Sequence, residues 1–301
     1  MVQSRNRRIL PYLVMIAMCL GMLVLFGCKE VQQNEATPTP TSRSTSSPVP
    51  LAGQDGSVEA MEVITDTGNT IYYELTYWSD GLRVKGLYGH PKGDGPYPAV
   101  IFNRGGNRDY GALAGWELIP FVESGYVAVG SQYRGNVGGE GIEEFGGADV
   151  NDVLNLIVFL KSLSIVDPER IAMVGMSRGG MQTYIALKLD PEGGTQDIKV
   201  AAVVSGAADL FMWSEELEGM LEDVMIPLIG ASPDERPDLY KARSAVYWPE
   251  LINAPLLIQH GEADDRISVE EARKMADGLQ QAGKTVELII YPGEAHEPAA
   301  R

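Results

Sequence analysis

The sequence predicts an α/β fold in which a mostly parallel, doubly wound sheet follows an N-terminal antiparallel hairpin. Three observations predict it: an early pair of alternating segments, a series of short apolar runs after them, and helical periods between those runs. Short, nearly continuous apolar runs are typical of parallel strands that are buried on both faces. Strands and helices that alternate along a chain favour a parallel sheet covered by helices on both sides.

The early pair is TIYYELTYWS (70–79) and LRVKGLYGH (82–90). Asp80-Gly81 lies between them, and this dipeptide is a strong signal for a two-residue hairpin turn. The apolar runs that predict parallel strands are PAVIFNR (98–104), GYVAVGSQYR (125–134), RIAMVGM (170–176), KVAAVVSG (199–206), APLLIQHG (254–261) and TVELIIYP (285–292).

Two segments between these runs have helical periodicity. Residues 148–163 place their apolar side chains on one broad face, and residues 268–283 begin with a Ser-x-x-Glu capping box. We expect residues 211–250 to form an irregular helical insertion over one face of the sheet. The apolar candidates for pocket walls in this insertion are Phe211, Met212, Trp213 and Tyr247.

The N-terminal residues 1–28 have the layout of a secretory signal, with a basic start before an apolar run at 9–26. The end of this run, LFGC (25–28), resembles the lipobox of bacterial lipoproteins, which implies cleavage before Cys28 and lipidation of that residue. An uncleaved N-terminal anchor helix is the alternative. Both interpretations place the rest of the chain outside the cytoplasmic membrane.

Residues 29–57 are rich in Thr, Ser and Pro, which predicts a disordered tether, and residues 58–301 suffice for one large domain. The other cysteine, Cys19, lies in the signal segment, so we expect no disulfide. A net charge of −17 argues against nucleic acid as a partner and against a basic patch that holds anionic lipid. We therefore expect the lipid on Cys28 to be the membrane anchor. The oligomeric state does not follow from the sequence.

Gly175-Met176-Ser177-Arg178-Gly179 is a G-x-S-x-G motif between a predicted strand and a predicted helix. This context predicts a sharp, strained turn that exposes a nucleophilic Ser177 hydroxyl at the carboxyl edge of the sheet. The alternative is a glycine-rich turn with an incidental serine. A catalytic serine needs a general base, which in turn needs an acid to orient it.

The chain has three histidines. His296 follows the last predicted strand, where an imidazole can reach back over the sheet edge to Ser177, so we predict that His296 is the base. His90 ends an early hairpin strand far from this edge. His260 closes a buried strand, where a structural role is expected.

The acid should lie between the serine and the histidine in chain order. The segment HGEADDRI (260–267) follows the next-to-last strand and offers several carboxylates. We predict Asp264, which is far enough into the loop to turn back towards His296, and keep Asp265 as the second choice.

An acyl-transfer site also needs N–H donors for the oxyanion, each worth about 3 kcal/mol in the transition state. One should be the backbone N–H of Arg178. The other should come from the loop NRGGNRDYG (103–111), where Gly105 and Gly106 let the backbone approach a substrate closely. The segment from Arg104 to Gly106 brackets this second donor.

With these motifs assembled, the chain resembles an α/β-hydrolase and, more narrowly, the catalytic domain of the prolyl oligopeptidase (S9) family. The resemblance is carried by YWSDGLRVKGLYGHP, YRGNVGGEG (133–141), GMSRGG, HGEADDRI and YPGEAH. It implies an α/β-hydrolase catalytic domain at 58–301 with a triad of Ser177, Asp264 and His296. It also matches Arg266 to a family position that can contact the backbone carbonyl of a substrate.

Arginines cluster on loops at the predicted active edge: Arg104, Arg108, Arg134, Arg178 and Arg266. One hypothesis is that they bind a substrate carboxylate or carbonyl, with Arg104, Arg134 and Arg266 as the binding residues. The alternative is that they clamp loops through nearby acids, namely Asp109, Glu140, Glu143 or Asp149.

The sequence therefore predicts an extracytoplasmic serine hydrolase of S9 type that cleaves short peptides through an acyl-enzyme. A carboxylesterase on the same fold is the alternative, because both activities use the same triad and the pocket decides between them. A binding lipoprotein without catalysis is a further alternative. The sequence has no metal-ligand cluster, phosphate loop or dinucleotide motif, so we expect no metal and no cofactor.

Overall fold

A computed structural model of the chain describes residues 50–190 and 196–298. The signal segment, Cys28 and the tether up to residue 49 lie outside the described residues. The predictions made for them stay predictions.

The described residues contain a mixed sheet of nine strands. These are β1 (Val58–Asp66), β2 (Thr70–Ser79), β3 (Leu82–Pro91), β4 (Tyr97–Asn103), β5 (Val127–Ser131), β6 (Val166–Met176), β7 (Ile198–Val204), β8 (Leu256–Gly261) and β9 (Val286–Tyr291). Their spatial order is β1-β2-β3-β5-β4-β6-β7-β8-β9. The pairs β1–β2, β2–β3 and β3–β5 are antiparallel, and all later pairs are parallel. The predicted fold class is therefore confirmed.

The predicted hairpin is formed by β2 and β3, which pair from Thr70–Pro91 to Ser79–Leu82. Asp80 and Gly81 have φ values of +51° and +74°, as a type I′ turn requires at both central positions. The edge strand β1 was not predicted. It pairs with β2, but all its residues after Val58 are exposed, including the apolar Met61, Val63 and Ile64, so the strand has no buried face.

The α-helices in the described part of the chain are α1 (Ile119–Glu123), α2 (Asp149–Ser162), α3 (Arg178–Leu189), α4 (Leu210–Glu216), α5 (Ile226–Ile229), α6 (Pro237–Arg243) and α7 (Val269–Gln281). The larger core packs α2, α3, α7 and the 210–251 segment against one face of the sheet. The smaller core lies on the other face, where α1 and the loop before it provide the cover. The segment expected to be a helical insertion contains α4 to α6, a π-helix at Met220–Met225 and two short 3-10 helices.

The last residues of the predicted tether belong to the fold, which corrects its boundary at residue 57. The N–H of Gly56 donates to the carbonyl of Trp78 at 2.8 Å, and Asp55 Oδ1 accepts from the N–H of Asp80 at 2.7 Å. Ser57 is buried. Residues 55–57 are therefore bonded to the end of the β2–β3 hairpin, while residues 51–55 are exposed.

The capping box predicted at the start of α7 is only half formed. The Ser268 hydroxyl accepts from the N–H of Glu270, as an N-cap residue should. The Glu271 side chain does not return to Ser268. Its Oε2 is buried and accepts from the N–H groups of Ala208 and Asp209, at 2.7 and 2.8 Å, just before α4.

Candidate active site

Ser177 lies at the tight turn between β6 and α3, with φ +57° and ψ −126°. This conformation is strained for a residue with a side chain and persists only where its surroundings enforce it. The surroundings require glycine: a Cβ on Gly175 would lie 2.1 Å from the carbonyl oxygen of Gly179, and one on Gly179 would lie 1.9 Å from that of Asn103. The glycines flanking the serine therefore allow β6, α3 and the end of β4 to meet at one point.

Asp264 and His296 come together on the loops that follow β8 and β9. His296 Nδ1 lies 2.8 Å from Asp264 Oδ2 and 3.0 Å from Oδ1, and both side chains are buried. The two loops meet because Gly261, at the end of β8, has no side chain: a Cβ there would lie 2.1 Å from the carbonyl oxygen of Ala295. The N–H of Ala263 also donates to the carbonyl of Glu294 at 2.8 Å.

The Asp264 carboxylate is held by four hydrogen-bond donors. Besides His296, its Oδ1 accepts from the backbone N–H groups of Arg266 and Ile267, at 2.9 and 3.0 Å. His260 Nε2 lies 3.1 Å from Oδ2. Burial acts to raise the pKa of Asp264, but the hydrogen bonds from His260 and His296 outweigh it and hold the pKa well below its usual range. The carboxylate is therefore ionised and can orient an imidazole.

His260 is buried, as a structural role requires, and it also contacts the carboxylate of Asp264. It is fully buried, and its Nε2 contacts both the carbonyl of Ile267 at 2.9 Å and the Asp264 carboxylate. A carbonyl only accepts hydrogen bonds, so Nε2 carries the proton and is the donor. The contact with Asp264 was not predicted. Its signal in the sequence was the four-residue spacing from a strand end to the loop that holds the acid.

Ser177 and His296 face one cavity of about 300 Å³ at the carboxyl edge of the sheet. The apolar and aromatic residues in its lining are Phe102, Tyr110, Ala112, Trp116, Pro120, Phe121, Val174, Met176 and Val204. Gly105, Gly106, Glu117 and Arg266 also line it. The loop before α1, together with α1 itself, thus forms much of its wall.

The apolar residues of the insertion have other contacts. Trp213 is buried against Phe145, and Phe211 packs on Tyr240 and Tyr247. None of the four predicted wall residues lines this cavity. The prediction was wrong for this cavity: the Trp213 and Phe211 rings pack on Phe145 and Tyr240 instead, and Tyr247 is exposed.

Gly105 lies directly against the nucleophile: a Cβ on Gly105 would be 3.0 Å from Ser177 Cβ and 3.6 Å from its Oγ. The carbonyl oxygen of the preceding residue, Arg104, accepts from the hydroxyl of Tyr133 at 3.0 Å. The carbonyl of Gly105 accepts from Arg104 Nη1 at 3.1 Å. Hydrogen bonds to these two carbonyl groups thus help to fix the loop.

In two of the predicted substrate-binding arginines, the guanidinium group is bonded to other groups of the protein. Arg134 Nη2 lies 2.8 Å from Asp152 Oδ1 and 2.7 Å from Asp80 Oδ2, with 6% of its side chain exposed. Arg104 is buried, and its guanidinium donates to four backbone carbonyls, those of Gly105, Arg108, Tyr110 and Gln132. The predicted substrate contact of Arg134 is therefore wrong. The predicted substrate contact of Arg104 is corrected as well. Arg104 borders the cavity, but its guanidinium N–H groups already donate to backbone carbonyls.

The loop-clamp alternative describes these side chains better, although the predicted acids are only partly the right ones. Arg178 binds Glu143 and Asp149, as expected, and the N–H of Arg108 donates to Glu143 Oε2 at 2.7 Å. Arg134 instead pairs with Asp80 and Asp152, as described above. Arg266 remains available to a substrate, because it is exposed and lines the cavity. Asp265 is exposed next to it, while Asp264 is the residue that contacts His296.

The described residues contain no helix with the length and apolar character needed to cross a membrane. The same residues, 50–190 and 196–298, contain no group of three or more His, Cys, Asp or Glu side chains arranged to hold a metal ion.

Comparison with known proteins identifies relatives that match most of this chain. The uncharacterized peptidase YtmA of Bacillus subtilis (strain 168) is 34% identical over 227 residues, which is 74% of this chain and 85% of the relative. Two other curated relatives are matched over only 34% and 30% of their own length. Activities and partners of those longer proteins therefore do not transfer directly to this chain.

Solved structures share the fold at lower identity. A puromycin-hydrolyzing peptidase of Mycobacterium tuberculosis aligns with a TM-score of 0.65 at 22% identity, covering 77% of this chain and 37% of the other. An acetyl xylan esterase of Paenibacillus sp. R4 aligns with a TM-score of 0.62 at 19% identity, covering 79% and 83%. A sequence model of the prolyl oligopeptidase family, Peptidase_S9, matches residues 112–301. The chain therefore belongs to the prolyl oligopeptidase family of serine peptidases, on the α/β-hydrolase fold.

Proposed function

We propose that this protein is a serine peptidase that cleaves short peptides through Ser177, His296 and Asp264. The observation that carries the proposal is the Asp264–His296 pair, held at 2.8 Å on the rim of the cavity that Ser177 also lines. An imidazole whose Nδ1 is bound to a carboxylate presents Nε2 to the serine hydroxyl. This is the arrangement that makes a serine nucleophilic.

In the proposed reaction, Ser177 Oγ attacks the substrate carbonyl while His296 Nε2 takes the hydroxyl proton. The imidazolium that forms is stabilised by the ionised Asp264. It then gives the proton to the leaving amine, so that an acyl-enzyme and a free amine result. Water, activated by the same imidazole, hydrolyses the acyl-enzyme and restores Ser177.

The oxyanion of the tetrahedral intermediate would be bound by the N–H groups of Arg178 and Gly105. Arg178 is the first residue of α3, where N–H groups have no partner within the helix. In a trans peptide the carbonyl and the following N–H point in opposite directions. Because the Arg104 carbonyl faces Tyr133, the Gly105 N–H points away from Tyr133, and Gly105 lies against Ser177. This favours Gly105 over Gly106 as the second donor.

Arg266 would bind a carbonyl oxygen of the substrate backbone. It is exposed, lines the cavity and follows the acid loop by only two residues. We expect Arg266→Gln to raise KM for peptide substrates more than it changes kcat, because a carbonyl contact remote from the reacting bond binds ground state and transition state alike.

We further propose that the enzyme acts outside the cytoplasmic membrane, anchored through a lipid on Cys28. The signal layout of residues 1–28 and the LFGC sequence support this. In cells fed a radiolabelled fatty acid, the protein should incorporate label and sediment with membranes, while Cys28→Ser should do neither. If the protein takes up no label and Cys28→Ser still sediments with membranes, the uncleaved anchor helix is the better interpretation.

A carboxylesterase is the second candidate, because the acetyl xylan esterase is matched over most of its own length. The decisive experiment measures kcat/KM of the purified full chain on an Ala-Pro anilide and on a short acyl nitrophenyl ester, with Ser177→Ala as the blank. Anilide turnover comparable to ester turnover supports the peptidase. Hydrolysis of the ester alone would mean that the protein is an esterase with the fold of the peptidase family.

The same preparation also tests the non-catalytic alternative. A fluorophosphonate probe should label the wild-type protein and leave Ser177→Ala unlabelled. If wild-type protein is not labelled and hydrolyses neither substrate, a binding function is supported instead.

A further inference from the structure

The Arg178 side chain turns away from the cavity that its neighbour Ser177 lines. It is 1% exposed, and its guanidinium lies between the rings of Tyr133 and Phe145, at 4.7 and 4.8 Å from their centroids. Its charge is matched by two buried carboxylates, Glu143 and Asp149. A substrate therefore cannot be the partner of this guanidinium, and its role must lie in what it holds.

The guanidinium holds the loop that carries the second oxyanion donor, and it does so directly. Arg178 Nη1 donates to the carbonyl of Gly106 at 3.1 Å. Gly106 adopts φ +70°, and a Cβ on it would lie 2.1 Å from the carbonyl oxygen of Tyr110, so the loop is tightly folded at this point.

Glu143 adds a second contact to the same loop. Its Oε1 binds Arg178 Nη1, while its Oε2 accepts from the N–H of Arg108 at 2.7 Å and from Asn136 Nδ2 at 2.9 Å. Arg108 has φ +50°, a left-handed conformation that a side chain disfavours and that this hydrogen bond helps to maintain. The loop is thus held at Gly106 and at Arg108, just after the proposed donor Gly105.

One residue therefore controls both sides of the oxyanion hole. The backbone N–H of Arg178 is one proposed donor, and its side chain fixes the loop that carries the other, Gly105. We propose that Arg178 and Glu143 are positioning residues of the oxyanion hole, which set the distance between the two N–H donors without touching the substrate. This inference rests on the proposed function, because it needs an oxyanion to be bound there.

The test uses Glu143→Gln, which keeps the shape of the side chain and removes its charge, and Arg178→Lys, which keeps a charge but cannot bridge Gly106 and two carboxylates. The matched control is Asp190→Asn. Asp190 is also a buried carboxylate that accepts from two backbone N–H groups, those of Asp197 and Ile198, at the opposite edge of the sheet.

We expect kcat on the nitrophenyl ester to fall roughly 10- to 100-fold in both site variants, since misplacement by about 1 Å can cost ~10²-fold. KM should change little, because the hole binds the transition state and not the ground-state carbonyl. The affinity for a boronic acid, whose tetrahedral adduct places an oxygen in the hole, should fall by a similar factor. Asp190→Asn should retain kcat and boronic acid affinity.

Thermal unfolding and titration with the fluorophosphonate give the fraction of folded, active protein in each preparation. If one of the two site variants fails to fold, the kcat and boronic acid affinity of the other variant still test the proposal. The inference is overturned if kcat per active site in Glu143→Gln equals that of Asp190→Asn. It is also overturned if kcat falls but boronic acid affinity does not. Wild-type protein that reacts with no acyl substrate and no probe would instead remove the proposed function itself.

Discussion

Asp264 Oδ2 lies 2.8 Å from His296 Nδ1, although 32 residues separate them in the chain. The contact depends on β8 and β9 being parallel neighbours, so that the loops after both strands leave the sheet at the same edge. It also depends on His260, which binds the same carboxylate from the end of β8. A carboxylate fixed from two directions can hold the His296 ring in a single tautomer.

The first prediction concerns that tautomer. Asp264→Asn should lower kcat by about 10⁴-fold, because the amide can donate to Nδ1 and leave Nε2 protonated, unable to accept from the serine. Asp265→Asn is the control, since Asp265 is the exposed neighbour of Asp264 in the loop. Steady-state kinetics on the nitrophenyl ester measure both. A larger loss in Asp265→Asn than in Asp264→Asn would show that the acid has been assigned to the wrong residue.

The second prediction concerns the space beside the nucleophile. Gly105→Ala would place a methyl group 3.0 Å from Ser177 Cβ, closer than such contacts normally allow. We expect kcat to fall about 100-fold, similar to the loss of one oxyanion donor, with a small change in melting temperature. Gly278→Ala in α7 is the control, where the new methyl group would meet only Pro249 side-chain carbons at 3.2 and 3.5 Å. Equal kcat in the two variants would contradict the placement of Gly105 in the site.

The third prediction concerns Arg134, which was first expected to bind substrate. Asp152 is fully buried and depends on Arg134 for its charge partner. Arg134→Met should lower the free energy of unfolding by about 3–5 kcal/mol, because it leaves a buried carboxylate unpaired. Chemical denaturation measures this change.

Two further measurements separate a structural role of Arg134 from a role in substrate binding. Per active site, the ratio of kcat/KM for anionic over neutral substrates should stay at the wild-type value, since Arg134 does not reach the cavity. Lys92→Met, which removes an exposed ion pair with Asp66, should shift the denaturation midpoint much less. A selective loss of anionic substrates in Arg134→Met would restore the original hypothesis.

Sequence patterns predicted the parts of the protein that follow local rules. The turn residues Asp80-Gly81 gave the hairpin, and apolar runs gave the parallel strands, because both signals depend on a few adjacent residues. The strained turn at Ser177 was predictable because the G-x-S-x-G motif has its glycines in one short segment. The contact between Asp264 and His296 followed from chain order and from the position of both residues after consecutive strands.

Long-range partners account for what the sequence did not reveal. Arg134 pairs with Asp152, and Tyr133 supports the carbonyl of Arg104; neither contact has a local signature. The strand β1 was missed because its residues are mostly exposed and its pairing with β2 comes from backbone groups. At α7 the local rule pointed the wrong way: Glu271 fits a capping box, but the unpaired N–H groups before α4 bind it instead.

The fourth prediction concerns this buried Glu271. Burial raises the pKa of its carboxyl from an ordinary value of 4.5 to about 8, and the nearby carboxylates of Asp209 and Glu216 act in the same direction. The native state therefore binds the Glu271 proton more tightly than the unfolded chain does. The stabilisation is complete below the pKa of the unfolded chain and is lost as pH rises towards 8, with a slope of at most about 1.4 kcal/mol per pH unit.

Denaturation curves at pH 5, 7 and 9 test this dependence with Glu271→Gln, which stays neutral and keeps an oxygen for the two N–H groups. The difference in unfolding free energy, wild type minus variant, should decrease steadily from pH 5 to pH 9. Glu270→Gln, at an exposed position in the same helix turn, should follow the wild-type curve. Asp264 does not interfere, because its lowered pKa affects stability only below its ordinary value of 3.8. Parallel curves for wild type and Glu271→Gln would mean that Glu271 keeps an ordinary pKa in the folded protein.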